Sequence, residues 1–374
     1  MNDIGWMREA IKEATKGGWT VHPNPMVGAV IVKDGVELGR GYHHGVGTSH
    51  AEVEALEDAS RRGYDVRGAT IYVTLEPCNH YGHTPPCTEA LISAGISRCV
   101  IGATDPNKKV KGGGIERLQS AGIECVQGVC EDEVREFNAP FFTRTMKNRP
   151  YITCKWAMTA DGRTASATGS SQWITGPESR RDVHLERSKH DAIIAGTQTI
   201  IADNPQLNVR LDNYSGRQPV RIVLDRTLRI PHDYHVFDTA NQKSILFTSV
   251  KDADFSFYKS RNIDVHIIDE SSNHLDILKV LNILADQYNI TTLYCEGGAG
   301  LHGSLHDQQL IDQVHIYIGA KLIGGMNAAG CIGGRGIELM NQATELKIRD
   351  IRQIGNDIRL CAGIEGVAAY ARRQ

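Results

Sequence analysis

Apolar and polar positions follow two different periods along the first 145 residues. Apolar residues recurring every three or four positions predict an amphipathic helix at the N-terminus: Trp6, Met7, Ala10, Ile11 and Ala14. Short apolar runs bounded by glycine or polar residues predict strands. These strands lie at 26–33, 37–42, 69–76, 98–105 and 123–128, with further helices at 51–61, 88–94, 113–122 and 131–145. The alternation is typical of a layered α/β/α sheet of about five strands.

The rest of the chain shows a second pattern, richer in strands and poorer in helices. Its predicted strands lie at 151–158, 191–196, 220–225, 244–249, 265–269, 291–298 and 313–319, and its helices at 178–188, 275–288 and just after Gly300. Helices between strands favour parallel pairing, so we expect a mostly parallel sheet with a hairpin-like end. The charged stretch at 146–150 predicts a boundary, which gives two α/β domains, 1–146 and 147–374.

Composition narrows the function classes. The 374 residues carry 41 basic and 44 acidic side chains with no basic run, which argues against nucleic acid as a partner. No apolar run approaches the roughly 20 residues of a membrane-spanning helix. The nine cysteines are scattered and odd in number, which suits reduced thiols, and the N-terminal helix lacks the features of a secretion signal. We therefore expect a cytoplasmic globular protein.

A histidine, a glutamate and two cysteines form the first candidate site. His50 and Glu52 begin a predicted helix, Cys78 follows a strand after Pro77, and Cys87 precedes the next helix. Catalytic zinc takes three protein ligands and a water, and His50, Cys78 and Cys87 supply suitable donors. The free carboxylate of Glu52 is placed to carry protons for a zinc-activated water.

The pattern matches the zinc deaminase signature H-x-E…P-C-x-x-C, except that eight residues separate the two cysteines. Taken singly, the cysteines are better explained as core thiols and His50 as a helix cap. The combination in this order favours the zinc site.

A glycine-rich stretch forms the second candidate site. Gly298, Gly300 and Gly303 follow a strand in the spacing G-x-G-x-x-G, which lets backbone amides approach a pyrophosphate. In a dinucleotide-binding fold of the Rossmann type this motif lies in the first βαβ unit, whereas here it comes late. A nucleotide site in a different fold is therefore predicted.

Three N-terminal segments, HPNPMVGAVIV, HHGVGTSHAE and PCNHYGHTPPC, closely resemble the deaminase half of the bifunctional riboflavin-biosynthesis deaminase/reductase family. The family pattern PC-x-H-x-G-x-TPPC is complete, at Pro77, Cys78, His80, Gly82, Thr84, Pro85, Pro86 and Cys87. Two positions depart from many relatives, His83 in place of lysine and Ser49 in place of proline. KWAMTADGRTA, SSQWITG, GTQTIIADNPQLNVR, RIVLD and the glycine loop resemble the reductase half, although Ala320 replaces a usual proline. The resemblance covers nearly the whole chain.

This resemblance implies a cytidine-deaminase-like first domain, a dihydrofolate-reductase-like second domain, and Zn²⁺ and NADPH as cofactors. It places Asn24 and His80 at positions that contact the pyrimidine, although both also suit ordinary turns. NADPH would be held by Ala157, Trp173, Thr199, Asp203, Gly298, Ala299, Gly300, Leu301, His302, Gly303 and Ser304. The reductase substrate would contact Ser171, Arg187, Leu207, Arg210 and Glu296. Among the ionisable residues of the matched segments, Lys155 and Asp203 are placed to pass a proton to an imine nitrogen, so we expect one of them to be the donor.

The implied function is zinc-dependent deamination of 2,5-diamino-6-ribosylamino-4(3H)-pyrimidinone 5′-phosphate, followed by NADPH reduction of the ribosylamino group to ribitylamino. The partner is thus a small pyrimidine ribotide, and we expect a homo-oligomer. One alternative is a deaminase of nucleic-acid or nucleoside bases fused to an unrelated nucleotide-binding domain. Another is a small-molecule binding protein with a structural zinc.

Overall fold

The computed structural model describes residues 1–81, 85–106, 113–271, 274–326 and 328–364. The chain divides into two compact units, 1–148 and 149–374. Gly82, His83 and Thr84 of the cysteine loop lie outside the described residues. No helix in the described ranges combines the length and the apolar content needed to span a membrane.

The first unit is a five-stranded sheet of order β2-β1-β3-β4-β5 with helices around it. Strand β1 pairs antiparallel with β2 and β3, while β3, β4 and β5 run parallel. The strands are β1 (Gly28–Lys33), β2 (Val36–Tyr42), β3 (Thr70–Leu75), β4 (Arg98–Ala103) and β5 (Glu124–Val126). The helices are α1 (Asp3–Ala14), α2 (Ala51–Arg61), α3 (Cys87–Ser93), α4 (Gly114–Ser120), α5 (Glu131–Phe137) and α6 (Ala139–Lys147), with a 3₁₀ segment at Thr15–Val21. The predicted five-stranded layered sheet is confirmed.

Helix α2 lies directly on β2 because that strand carries glycines where the helix crosses it. A Cβ on Gly39 would lie 2.4 Å from the Ala55 carbonyl oxygen, and one on Gly41 would lie 2.5 Å from the Ala55 nitrogen. Ala51 and Ala55 of α2 are fully buried in the same contact. Backbone-to-backbone packing of this kind fixes the position of the helix start, where His50 and Glu52 lie.

The helix and exit segment predicted over 131–145 form two helices that part at Asn138, so the exit segment is helical too. The Asn138 side chain accepts a hydrogen bond from the Met26 nitrogen at 2.9 Å and donates one to the Met26 oxygen at 2.8 Å. Pro140, in the first turn of α6, suits a new helix start. A tertiary contact thus overrides a continuous helical pattern.

The second unit is built on a nine-stranded sheet of order β10-β9-β8-β7-β13-β6-β14-β16-β15. The strands are β6 (Tyr151–Thr159), β7 (Ala192–Gly196), β8 (Val220–Leu224), β9 (Ser244–Thr248), β10 (Asp264–Ile267), β13 (Thr292–Cys295), β14 (Gln313–Gly319), β15 (Leu346–Ile354) and β16 (Asp357–Ile364); β11 (Glu270–Ser271) and β12 (His274–Leu275) form a small separate hairpin. The helices are α7 (Pro177–Arg187), α8 (Thr197–Asp203), α9 (Ser256–Ser260), α10 (Ile277–Tyr288) and α11 (Ala299–Asp307), with 3₁₀ turns at His235–Phe237 and Met340–Gln342.

The predicted parallel sheet with a hairpin-like end is confirmed. In the order of the sheet, the first seven strands, β10-β9-β8-β7-β13-β6-β14, are all parallel to one another. Strands β16 and β15 then add an antiparallel hairpin at the β14 edge. The pattern analysis missed β15, β16, α8 and α9. The two helices have only seven and five residues, so their local signals are weak. Strand β15 does alternate apolar and charged residues over part of its length, a strand signal that the pattern analysis overlooked.

Strand order decides where the second site lies. Strand β13 inserts between β7 and β6, although it follows β7 by about a hundred residues in the chain. Strands β7 and β13 end side by side at Gly196 and Cys295, and each is followed by a helix, α8 after Gly196 and α11 after Gly298. Ligands of parallel α/β sheets bind at this carboxyl edge.

Candidate active sites

The first unit brings the three predicted metal ligands together. His50 is the residue before α2, Cys78 lies just after β3, and Cys87 is the first residue of α3. The His50 Nδ1 atom lies 3.1 Å from the Cys87 sulfur and 3.5 Å from the Cys78 sulfur. All three donor atoms fall within 4.8 Å of one another, close enough for one ion to bind all three.

The surroundings of the cluster favour metal binding over the two structural explanations. In the described part of the chain the His50 side chain makes no capping hydrogen bond to α2, so its ring is not a helix cap. The Cys87 backbone N–H donates to the Cys78 sulfur at 3.4 Å. Hydrogen bonds from Cys87 and His50 lower the pKa of the Cys78 thiol despite its burial, while the same pairing with Cys78 raises the pKa of the Cys87 thiol. A thiolate at Cys78, the form that binds metal, is thereby stabilised.

Glu52 lies in the first turn of α2, two residues beyond His50, and is only 3% exposed. Burial raises the pKa of this carboxyl to about 7. A carboxyl that changes protonation near neutral pH is suited to take up and release a proton. Glu52 lies beside the three metal donors and is not one of them, as expected for a residue that moves protons without binding the metal.

Asn24 is tied to the cluster by a residue that the sequence analysis missed. The Asn24 Nδ2 atom lies 3.0 Å from His43 Nε2, and the His43 ring packs edge-on against His50 with centroids 5.6 Å apart. His43 Nδ1 lies 3.2 Å from the Ser49 carbonyl oxygen. Since serine and proline both offer that oxygen, serine at 49 retains this contact. Burial lowers the pKa of His43, which favours the neutral ring.

The cysteine loop is described only in part. His80 is exposed two residues beyond Cys78, so the structure does not bring it into the buried cluster. The neighbouring Asn79 accepts a hydrogen bond from the Thr88 hydroxyl at 2.9 Å, which joins the segment after Cys78 to α3.

The second unit contains a cleft of about 630 Å³ that collects most of the predicted reductase residues. Its lining includes Lys155, Ala157, Ser171, Trp173, Arg187, Thr199, Asp203, Leu207, Arg210, Glu296, Gly298, Ala299 and His302. Four of the predicted NADPH residues, Gly300, Leu301, Gly303 and Ser304, lie in α11 outside this lining.

The floor of the cleft carries a buried ion pair. The Arg187 Nε and Nη2 atoms donate to the two oxygens of Glu296 at 2.5 and 3.0 Å, and Lys155 Nζ lies 3.5 Å from the same carboxylate. Burial acts to raise the pKa of Glu296, but the charges of Arg187 and Lys155 hold it at about 2. Two predicted substrate residues are thus bound to each other, and their geometry is fixed before any ligand enters.

His184 is a second residue missed by the sequence analysis. It lines the cleft from α7, and its Nδ1 atom accepts a hydrogen bond from the Arg210 backbone N–H at 3.2 Å. Burial and the charges of Arg187 and Arg210 lower the pKa of His184 to about 4. A neutral ring therefore positions the segment that carries Arg210, and no sequence motif marked it.

The three glycines of the loop have different structural roles. Gly298 precedes α11, and a Cβ there would lie 3.2 Å from the Thr199 hydroxyl across the cleft. A Cβ on Gly303 would lie 2.4 Å from the Gly333 carbonyl carbon, so this position is required for packing. Gly300 has open space around it. The G-x-G-x-x-G spacing thus combines one glycine facing the cleft, one without steric restriction and one packed in the interior.

Comparison with known proteins finds two families in the chain. Residues 1–103 match the "Cytidine and deoxycytidylate deaminase zinc-binding region", and residues 150–360 match the "RibD C-terminal domain". The chain is 41% identical to the riboflavin biosynthesis protein RibD of Actinobacillus pleuropneumoniae, covering 96% of this chain and 95% of that protein. It is 40% identical to RibD of Escherichia coli, covering 96% and 99%.

Two solved structures are similar over nearly their whole length. Acinetobacter baumannii RibD is 37% identical, with a TM-score of 0.84 over 97% of this chain and 98% of that one. A Thermotoga maritima protein described as a diaminohydroxyphosphoribosylaminopyrimidine deaminase/5-amino-6-(5-phosphoribosylamino)uracil reductase is 35% identical, with a TM-score of 0.83 over 97% and 98%.

Proposed function

Because this chain belongs to the bifunctional RibD deaminase/reductase family of riboflavin biosynthesis, we propose that residues 1–146 hold the deaminase site and residues 147–374 the reductase site. The two family matches, at 1–103 and 150–360, support this division. Zinc and NADPH are the cofactors of the two activities. The alternative of a base deaminase fused to an unrelated domain is wrong, because the second unit matches the reductase domain of the same family.

The first reaction is the deamination of 2,5-diamino-6-ribosylamino-4(3H)-pyrimidinone 5′-phosphate, with His50, Cys78 and Cys87 as the zinc ligands. A zinc ion in such a site supplies an activated water as nucleophile. Glu52 takes the proton of that water and delivers it to the departing amine, so that ammonia leaves as a neutral molecule. The observation that carries this proposal is the grouping of three metal donors within 4.8 Å beside a buried carboxyl.

Substrate placement in the deaminase falls to Asn24 and His80. The Asn24 amide can pair with the polar edge of the pyrimidine, and its contact with His43 fixes its orientation. His80 is exposed beside Cys78, where it can meet a ligand entering from solvent.

In the second reaction NADPH supplies the hydride that reduces the ribosylamino group, in its open imine form, to ribitylamino. The cleft residues Ala157, Trp173, Thr199, Asp203 and the segment 298–304 would hold the cofactor. Ser171, Leu207 and the polar groups of the floor would hold the ribotide. Arg187 is committed to Glu296, whereas Arg210 is exposed at the cleft, so we assign the phosphate to Arg210.

We assign proton delivery to Asp203 and electrostatic support to Lys155. Partial desolvation raises the pKa of Asp203 above its ordinary value, against the opposing charge of Lys155, although the side chain is exposed at the cleft. Lys155 lies 3.5 Å from the Glu296 carboxylate and is held there by its charge. This pairing is the reason that we assign Lys155 to supporting the Glu296 carboxylate and give proton delivery to Asp203.

We also propose that the protein is cytoplasmic and forms a homo-oligomer. All nine cysteines are free thiols, which suits a reducing compartment. Strand β15 lies at an open sheet edge with Ile348 56% and Ile351 58% exposed, an apolar surface suited to a second copy of the chain. Light scattering of the purified protein tests this: a dimer or larger assembly is expected, and a monomer for the wild type would contradict it.

One coupled assay tests the whole proposal. Purified protein is given the ribotide and NADPH, and ammonia release, NADPH oxidation and bound zinc are measured together. We expect ammonia from the ribotide, NADPH oxidation only after deamination, and zinc bound to the first unit. Ammonia from cytidine but none from the ribotide would contradict the assignment.

A further inference from the structure

A second group of metal-type donors lies in the second unit. Cys154 of β6 and Cys295 of β13 are register partners on neighbouring parallel strands, and His302 lies in the helix α11 that follows β13. One donor atom from each side chain falls within 4.8 Å of the other two. Both cysteines are fully buried and His302 is 1% exposed.

The His302 ring is oriented as metal-binding histidines are. Its Nδ1 atom lies 3.2 Å from the Cys331 carbonyl oxygen, and since a carbonyl only accepts, Nδ1 carries the proton and donates it. This leaves a lone pair on Nε2. Among the described residues this buried Nε2 atom makes no hydrogen bond of ordinary geometry, and the polar side chain that interacts with the ring is Cys295. A ligating histidine commonly donates its other N–H to a backbone carbonyl, which fixes the ring and its tautomer.

We propose that Cys154, Cys295 and His302 form a second binding site for a soft divalent ion such as Zn²⁺. In a tetrahedral zinc site the sulfur and nitrogen donors are about 3.5–3.8 Å apart, a spacing that fits within the limit of 4.8 Å. Two thiolates balance the two charges of the ion, so the complex is neutral and suits a buried position. Binding releases two thiol protons to solvent.

Core packing explains the two cysteines but not the histidine. A cysteine behaves as a small apolar side chain and is often buried without a partner. A buried imidazole nitrogen without a partner is unusual, because buried polar atoms are normally hydrogen-bonded. An ion shared with the two sulfurs would replace the poorly aligned contact between Nε2 and the Cys295 thiol by a direct bond.

The site lies beside the cleft. His302 lines the cleft, as do its ring neighbour Trp156 and Cys331, although the three donor side chains are at most 1% exposed. An ion bound there links β6, β13 and α11, and thereby fixes the helix that begins after Gly298. We therefore expect Zn²⁺ to raise the melting temperature of the second unit.

Cobalt titration of the chelator-stripped, full-length protein tests the proposal, since Co²⁺ bound by thiolates gives a charge-transfer absorption band. We expect the wild type to bind two equivalents of Co²⁺ with this band, and Cys295→Ala and Cys154→Ala to bind one. Cys361→Ala, which removes another buried cysteine from the same sheet, should still bind two.

The proposal is overturned if Cys295→Ala and His302→Gln both bind as many equivalents of Co²⁺ as the wild type and both show the same absorption band. The His302→Gln variant decides the matter where loss of a strand cysteine prevents folding, as judged by circular dichroism. Cys87→Ala separates this site from the deaminase site. Cys87→Ala should still bind the one equivalent of Co²⁺ that Cys295→Ala loses. If Cys87→Ala instead binds as many equivalents of Co²⁺ as the wild type, the deaminase assignment of Cys87 is wrong.

Discussion

The Arg187 guanidinium binds the Glu296 carboxylate through two parallel hydrogen bonds of 2.5 and 3.0 Å. Arg187 ends α7 and Glu296 follows β13, so the pair joins two elements that are 109 residues apart in the chain. Paired forks of this kind have a fixed plane and are stronger than single neutral hydrogen bonds. The floor of the cleft is therefore preorganised, and its balance of charge depends on the Glu296 carboxylate.

Glu296→Gln should destabilise the protein at pH 7 by about 3 kcal/mol, because it leaves Arg187 buried without its counter-charge. The pKa of Glu296 is lowered to about 2, against about 4.3 for an unfolded glutamate. Its stabilising contribution is thus fully present above about pH 4.3 and is lost as the pH falls toward 2. Denaturant unfolding at several pH values should show the gap between wild type and variant closing over that range; a constant gap would contradict the pKa shift.

Glu52→Gln should reduce ammonia release by about 10²–10⁴-fold while zinc remains bound, because the carboxyl moves protons without binding the ion. Activity and metal content are measured on the same preparation. Glu54→Gln, two residues along α2 beside His44, is the matched control and should retain activity. Full activity with Glu52→Gln would leave the cluster with a structural role only.

Arg210→Ala should raise the KM for the ribotide in the reductase reaction by about 10–100-fold with little change in kcat. Charge-assisted hydrogen bonds to a phosphate contribute about 1.5–3 kcal/mol each, and the phosphate is remote from the reacting carbon. Arg226→Ala, which removes a surface pair with Glu270, serves as control. A fall in kcat at unchanged KM would place Arg210 at the reacting atoms instead.

Gly303→Ala and Gly300→Ala should differ sharply although both lie in α11. The new Cβ at 303 would lie 2.4 Å from the backbone of Gly333, and overpacking costs about 1–3 kcal/mol. The new Cβ at 300 meets open space, and alanine favours the helix. Thermal unfolding should show a lower melting temperature only for Gly303→Ala. Equal melting temperatures would refute the packing role of Gly303.

Asp203→Asn should lower the reductase kcat and remove the alkaline limb of its pH profile, because an amide cannot deliver the proton that we assign to the Asp203 carboxyl. Lys155→Met should instead weaken the electrostatic support of Glu296 and leave that limb in place. Steady-state rates across pH 5–9 distinguish the two variants. Loss of the limb in Lys155→Met alone would reverse the assignment.

Local sequence was enough to predict the elements that carry the deaminase cluster. Helix α2 has the predicted bounds, 51–61, and places His50 and Glu52 at its start. The strand before Cys78 and the helix at Cys87 follow from short apolar runs and turn residues. Such features depend on neighbours a few positions apart, and the amino-acid order records them directly.

The amino-acid sequence by itself determined the two α/β patterns, the order of the metal-type donors and the glycine spacing. Only the tertiary structure decided that His43 orients Asn24, that Arg187 is bound to Glu296, and that His302 faces Cys154 and Cys295. These contacts join residues from different elements. The contacts of Glu296, Cys295 and His302 depend on the insertion of β13 between β6 and β7. All of these contacts depend on side-chain packing, which is fixed by the free energy of the core rather than by any local pattern.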